Sequence, residues 1–129
     1  MKILGSGVDI VEVKRVAKSA KKWGKHFLSK IFTARELRYV QKKRNRYESL
    51  AARFAVKEAV VKAFGERKDR PTALQQIEIV NTKEGVPQVV FHLPNGKIAN
   101  RYKGRIVISM SHSKEYAVGT AILLGKGES

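Results

Sequence analysis

Between Leu50 and Gly65 the chain reads LAARFAVKEAVVKAFG, with the period of a helix. Ala52, Ala55, Ala59 and Ala63 recur at three- and four-residue intervals and form a ridge of small side chains that lets another element approach the backbone. Tyr47, Leu50, Phe54 and Val61 form an adjacent apolar stripe, and Glu58 interrupts it. Upstream, Ile3 to Val13 alternates as a strand, with Gly5, Gly7, Asp9 and Val11 on one face and Leu4, Val8 and Ile10 on the other. Val13, Val16, Ala17 and Ala20 give Glu12 to Trp23 a helical stripe, which Gly24 is expected to end. His26 to Phe32 predicts a short helical turn. Thr33-Ala34-Arg35-Glu36 is a capping box opening a helix to about Lys43, and Asn45 is the expected N-cap of the long helix.

After Gly65 the period changes. Gln76 to Asn81 and Pro87 to Leu93 alternate around the turn Lys83-Glu84-Gly85 and predict a hairpin. Pro94-Asn95-Gly96 marks a second turn, and Lys97 to Gly104 reads as a helical or irregular connection. Arg105 to Ser111 and Tyr116 to Leu124 are apolar strands joined by His112-Ser113-Lys114-Glu115. The tail from Gly125 to Ser129 is expected to fray.

The 129 residues suit one domain, and 43% hydrophobic content argues against disorder. There is no cysteine, hence no disulfide framework or thiolate metal site. No apolar run approaches the ~18 residues of a spanning helix. The N-terminus carries acids within its apolar stretch, unlike a signal peptide. A soluble, cytoplasmic protein is expected, with no membrane partner. The charge changes the picture more: 27 lysines and arginines against 11 acids give +16, which predicts an anionic partner.

Two acids stand out as candidate ligands. Glu58 on an apolar stripe is costly to bury without a charged partner, and Arg53, Lys57 and Lys62 lie within about a turn of it. A carboxylate among cations has the composition that a divalent metal and a polyphosphate require. Asp9 shares its strand face with two glycines, which would leave room for an ion or ligand; an edge-strand charge beside a bend is the plainer reading. His112, at a strand end among Ser109, Ser111 and Ser113, suits a phosphate contact or proton transfer. The cations of Lys42-Lys43-Arg44-Asn45-Arg46 read as a solvated turn or a phosphate clamp, and Arg15, Lys18, Lys21 and Lys22 make the first helix positive outside.

Gly7-Val8-Asp9-Ile10-Val11-Glu12-Val13, Ala52 to Ala59 with Lys62-Ala63-Phe64-Gly65, and Ile108-Ser109-Met110-Ser111-His112-Ser113 together resemble the holo-acyl-carrier-protein synthases, the small phosphopantetheinyl transferases. Phe32 to Glu36 is similar to the segment between that family's first two motifs. The resemblance covers nearly the whole chain, in order. It implies transfer of 4′-phosphopantetheine from coenzyme A to a serine of an acidic apo acyl carrier protein, releasing adenosine 3′,5′-bisphosphate. By that resemblance Asp9 and Glu58 bind magnesium, Lys62 meets the transferring phosphate, and Arg53, Gly65 and His112 belong to the coenzyme A site. Glu58, His112 or a metal-bound water takes the serine proton. The carrier would dock on Arg15, Lys18 and Lys22. The implied assembly is a homotrimer with each active site at a subunit interface. The expected fold is α+β, one domain over residues 1–129, with a mainly antiparallel sheet packed on the long central helix and shorter N-terminal helices.

The chain departs from the family after Gly65, where Glu66-Arg67-Lys68-Asp69-Arg70 replaces a glycine-rich loop, so Arg67 or Lys68 would substitute for backbone contacts to the nucleotide. The segment from Gly96 to Arg105 is also shorter than the helix usual there. The rival reading is a basic nucleic-acid-binding module without catalysis. It has the charge but no aromatic-basic platform, and it needs neither Asp9 nor Glu58.

Overall fold

The structure, a computed structural model, describes residues 2–126. Strand β1 (Ile3–Glu12) leads into helix α1 (Val13–Ile31), then α2 (Ala34–Gln41) and α3 (Arg46–Phe64). A short 3-10 turn (Leu74–Gln76) precedes β2 (Ile77–Asn81), β3 (Pro87–His92), β4 (Ile98–Ala99), β5 (Ile106–His112) and β6 (Tyr116–Leu124). Two three-stranded antiparallel sheets result, ordered β1-β6-β5 and β2-β3-β4. The single-domain α+β arrangement is the one expected. Sequence and structure differ locally at three places. Gly24 kinks α1 with φ 59° rather than ending it, and the helix resumes to Ile31. Asn45 precedes α3 without a side-chain cap bond. The connection read as helical or irregular contains β4, which extends the β2-β3 hairpin through Phe91 and His92.

Helix α3 lies against the inner face of the first sheet, and the fit is set by small residues on both sides. Ala52, Ala55, Ala59 and Ala63 are buried, as their ridge predicts. Facing them, the cross-strand rows are Gly7–Ala121–Ile108 and Asp9–Gly119–Met110. A Cβ on Gly7 would come within 2.0 Å of the Ala59 carbonyl oxygen, and one on Gly5 equally close to that of Ala63. A Cβ on Gly119 would meet the Val56 amide nitrogen at 2.4 Å. The space beside Asp9 is therefore filled by the helix. The glycines do not leave a ligand cavity there; they bring the backbone of α3 onto β1.

Apolar contact completes the core on two sides of α3. Val56, Val60, Phe64, Ile77, Phe91 and Leu123 form one cluster, in which Phe64 meets Phe91 and Tyr102 edge-on at 5.7 and 5.1 Å between ring centres. Val13, Val16, Phe32, Val40, Leu50 and Ala117 form the other. The outer face of the first sheet is uncovered: Val8, Ile10, Val107 and Ile122 lie on it and are exposed, Ile10 by 65%. At the end of that sheet the Gly125 amide donates to the Lys2 carbonyl at 2.7 Å, so the tail is held at its first residue. The rest of the expected fraying, from residue 127, lies outside the described residues.

Candidate active site

Helix α3 carries most of the candidate residues, but on different sides. Glu58 and Lys62, one turn apart, face β1. Lys62 Nζ donates to the Asp9 carboxylate at 3.1 Å and to the Val8 carbonyl at 2.9 Å. Glu58 is half-buried, and its carboxyl is held above the usual range by burial, then by the Asp9 charge, against the opposing pull of Lys62. Two carboxylates and one ammonium thus meet where Gly7 lets α3 touch β1. The Lys62 side chain is 53% exposed.

Arg53 lies five residues before Glu58, about 140° around the helix. Its side chain is buried against α2 and β2 instead. Nη1 donates to the Ser49 hydroxyl at 2.7 Å and to the Ser49 carbonyl at 3.3 Å, and Nη2 donates to Asn81 Oδ1 at 2.9 Å. The guanidinium stacks over the Tyr39 ring, 4.7 Å from its centre. Its Nε is buried without a partner, and burial lowers its proton affinity. Arg53 and His112 line one cavity of about 270 Å³ with Tyr39, Lys43, Asn45 and Asn81. There His112 Nδ1 lies 2.9 Å from Glu48 Oε1. The structure brings Arg53 and His112 together, but not with Asp9 and Glu58. Strand β6 separates β5 from β1, and His112 lies in register with Val11, two residues past Asp9, so the two backbones are about 12 Å apart.

Lys57 is not part of a ring of phosphate-binding cations. It is fully buried on the α2 side, where Nζ donates to Glu36 at 2.7 Å and to the carbonyls of Leu74 and Ile77. Glu36 also closes the Thr33 capping box and accepts from the Ile79 amide. The helical period explains this: Lys57 is 100° from Glu58 and points into the second sheet. The cation-rich turn after α2 supplies Lys43 and Asn45 to the cavity of Arg53 and His112. Tyr39, Asn81 and Glu48 were not legible as site residues, because no spacing links them. Gly65 ends α3 with φ 58°, its amide donating to the Val61 and Lys62 carbonyls at 3.2 Å. Arg67, in the altered loop beyond, lines a different cleft with Lys2 and Arg105.

On α1, Arg15, Lys18 and Lys22 are exposed and share one face. Arg15 also borders an apolar pocket of about 390 Å³ lined by Ile10, Val16, Phe27, Phe54 and Tyr116.

The sequence profile of the 4′-phosphopantetheinyl transferase superfamily matches residues 5–121. The chain belongs to that superfamily. Within it, the chain is 43% identical over 122 residues to a holo-[acyl-carrier-protein] synthase of Koribacter versatilis, covering 94% of this chain and 98% of that protein. A Fusobacterium nucleatum protein of the same name is 42% identical, covering 95% and 99%. Among solved structures, the Neisseria meningitidis holo-[acyl-carrier-protein] synthase superposes with TM-score 0.81 at 29% identity, covering 96% of this chain and all of that one. The Bacillus anthracis holo-(acyl-carrier-protein) synthase in complex with CoA (3′,5′-ADP) gives 0.74 at 32% identity, covering 94% and 96%. These matches support the transferase resemblance and lend nothing to the nucleic-acid reading. Among the described residues, no helix of this superfamily member is long and apolar enough to cross a membrane.

Proposed function

We propose that the chain transfers 4′-phosphopantetheine from coenzyme A to a serine of an apo acyl carrier protein, at a magnesium site held by Asp9 and Glu58. The observation that carries this reading is the Lys62–Asp9 ion pair, with the half-buried Glu58 close enough to feel both charges, where α3 meets β1 in a chain of the phosphopantetheinyl transferase superfamily. The donor set fits the ion. Magnesium takes oxygen ligands and keeps positions for water and phosphate, so two protein carboxylates suffice. Among the described residues there is no group of three or more acidic, histidine or cysteine side chains that would suggest a closed cage. When bound, the ion neutralises charge on the pyrophosphate.

The residues divide the remaining work. Lys62, half-exposed and bonded to Asp9 and to the Val8 carbonyl, is assigned to the transferring phosphate. The serine oxygen bonds to the phosphorus that carries pantetheine; the bond to the bridging oxygen breaks and adenosine 3′,5′-bisphosphate leaves. The serine proton would go to Glu58, to His112 or to a metal-bound water. Arg53 and His112, with the unpartnered Arg53 Nε, are assigned to the phosphates of coenzyme A, and Gly65 to its path past the end of α3. Arg15, Lys18 and Lys22 are assigned to the acidic carrier.

The separation of the two clusters within one chain supports a shared site. A homotrimer would join the Asp9–Glu58–Lys62 side of one copy to the Arg53–His112 cavity of the next. The uncovered outer sheet face, with Val8, Ile10, Val107 and Ile122, supplies apolar area for such an assembly. The test mixes two inactive variants, Glu58→Gln and Arg53→Ala, after unfolding and refolding together. Recovery of transfer activity in the mixture is expected, because some sites then draw both halves from unmutated chains. A mixture as inactive as its components overturns the shared site.

A further inference from the structure

The positive charge is not all spent on α1 and the coenzyme A cavity. At the far end of β1 from α1, an open cleft of about 800 Å³ is lined by Lys2, Arg67, Arg101, Lys103, Arg105 and Lys126. These six cations come from four separate stretches of chain: the start of β1, the loop after α3, the turn before β5 and the end of β6. No carboxylate lines the cleft among the described residues. Asp69 lies behind it, paired with Arg101 at 3.0 Å and, more loosely, with Arg67 at 3.8 Å. That leaves Lys2, Lys103, Arg105 and Lys126 without an acidic partner among the described ion pairs.

The cleft is also framed. Leu124 N–H donates to the Arg105 carbonyl at 2.8 Å, and the Gly125 amide ties Lys2 to the end of β6. Tyr102 is buried, its hydroxyl donating to Asp69 at 2.5 Å, and its ring carries the guanidinium groups of Arg101 and Arg105 at 5.7 and 5.1 Å. The Tyr102 hydrogen bond is the main cause holding the Asp69 carboxyl below its usual range, so Asp69 stays ionised behind the arginines. Like charges gathered on a fixed frame repel one another and are relieved by an anion whose charges are as closely spaced.

We propose that this cleft binds a compact polyphosphate, at a site separate from the transfer chemistry. Shape and composition choose that class. The cations converge on a concavity and do not run in a stripe, which suits clustered phosphates better than an extended nucleic-acid backbone. The one aromatic ring in it is buried under guanidinium groups and offers no face for base stacking. Inorganic polyphosphate and a nucleoside triphosphate share the required chemistry.

The test is calorimetric titration with inorganic tripolyphosphate and, separately, with ATP. Both are done without magnesium and with the coenzyme A site saturated by coenzyme A. The Lys103→Gln/Arg105→Gln/Lys126→Gln variant is compared with the parent, and Lys103→Gln/Lys126→Gln serves if loss of Arg105 disturbs folding. Tripolyphosphate affinity is expected to fall at least about tenfold in the variant, with transfer activity and melting temperature retained. Equal affinity for both probes assigns the site to the phosphates alone; tighter ATP binding lost in the same variant assigns it to a nucleotide. Tripolyphosphate and ATP binding unchanged by the substitutions overturns the proposal. So does tighter binding of a single-stranded RNA than of tripolyphosphate through these residues.

Discussion

Replacing Gly7 by alanine tests how the fold builds the site. The new Cβ would sit 2.0 Å from the Ala59 carbonyl oxygen and 2.9 Å from Lys62 Cβ. The first is a backbone atom in the middle of α3 and cannot rotate away. Reaching even the tight end of carbon–oxygen contact, about 3 Å, requires the helix and strand to part by about 1 Å. Overpacking of this kind costs roughly 1–3 kcal/mol, and a clash against backbone belongs at the upper end. The loss of unfolded-chain freedom on going from glycine to alanine offsets only about 0.4–1 kcal/mol. A net loss of about 2 kcal/mol or more is expected from urea unfolding, read as a lower midpoint at constant slope. The same movement separates Glu58 from Asp9, and a 1 Å misplacement of reacting groups costs about 100-fold in turnover. Gly96→Ala is the control. Its φ is 88° with nothing within 4 Å, so it carries about 1 kcal/mol of backbone strain and no loss of activity. A Gly7→Ala protein of parental stability and turnover would contradict the view that glycine on β1 sets the spacing of Asp9 and Glu58.

Other expectations follow from single contacts. Glu58→Gln preserves shape and removes charge; folding should survive while magnesium-dependent transfer falls 100-fold or more, and unchanged turnover would remove Glu58 from the site. Lys57→Met strands the Glu36 carboxylate in the core and should cost about 3–5 kcal/mol in urea unfolding, partly restored by adding Glu36→Gln. Burial alone would raise the Glu78 carboxyl, but hydrogen bonds from Arg35, Thr33 and His92 bring it from 4.5 down to about 2. The unfolded chain therefore takes up a proton first on acidification, and up to about 3 kcal/mol of stability should disappear as pH falls from about 4.5 to 2. Comparing acid unfolding of the parent with Glu78→Gln checks it, and an unaltered acid limb would contradict it. Charge reversal at Arg15 and Lys18 should raise the KM for the carrier while leaving that for coenzyme A unchanged.

Most of the fold was legible because its periods are clean. The alanine ridge, the Thr33 capping box and the alternating strands each specify one local answer, and the tertiary structure uses all three. Asp9 and Glu58 each stood out as a misfit acid, and only the family resemblance joined them; in the structure the Asp9 charge reaches Glu58. Two kinds of information were not local. The glycines beside Asp9 read as room for a ligand or as a bend, and that they instead admit the backbone of α3 is decided 50 residues later in the chain. The side to which a helical cation turns depends on the second sheet, which is why Lys57 reads like Arg53 and Lys62 yet is buried with Glu36. The cations from residue 101 onward carry no periodic signal, and only the folding together of four chain segments makes them a cleft.

The central claim is best tested by intact-protein mass spectrometry of an apo acyl carrier protein incubated with this protein and coenzyme A, with magnesium and then with chelator. A phosphopantetheine mass gain that requires both protein and metal, and that vanishes with Asp9→Asn, is the predicted result. No gain with magnesium on any of several acidic carriers, from protein that is folded and binds coenzyme A, would contradict it.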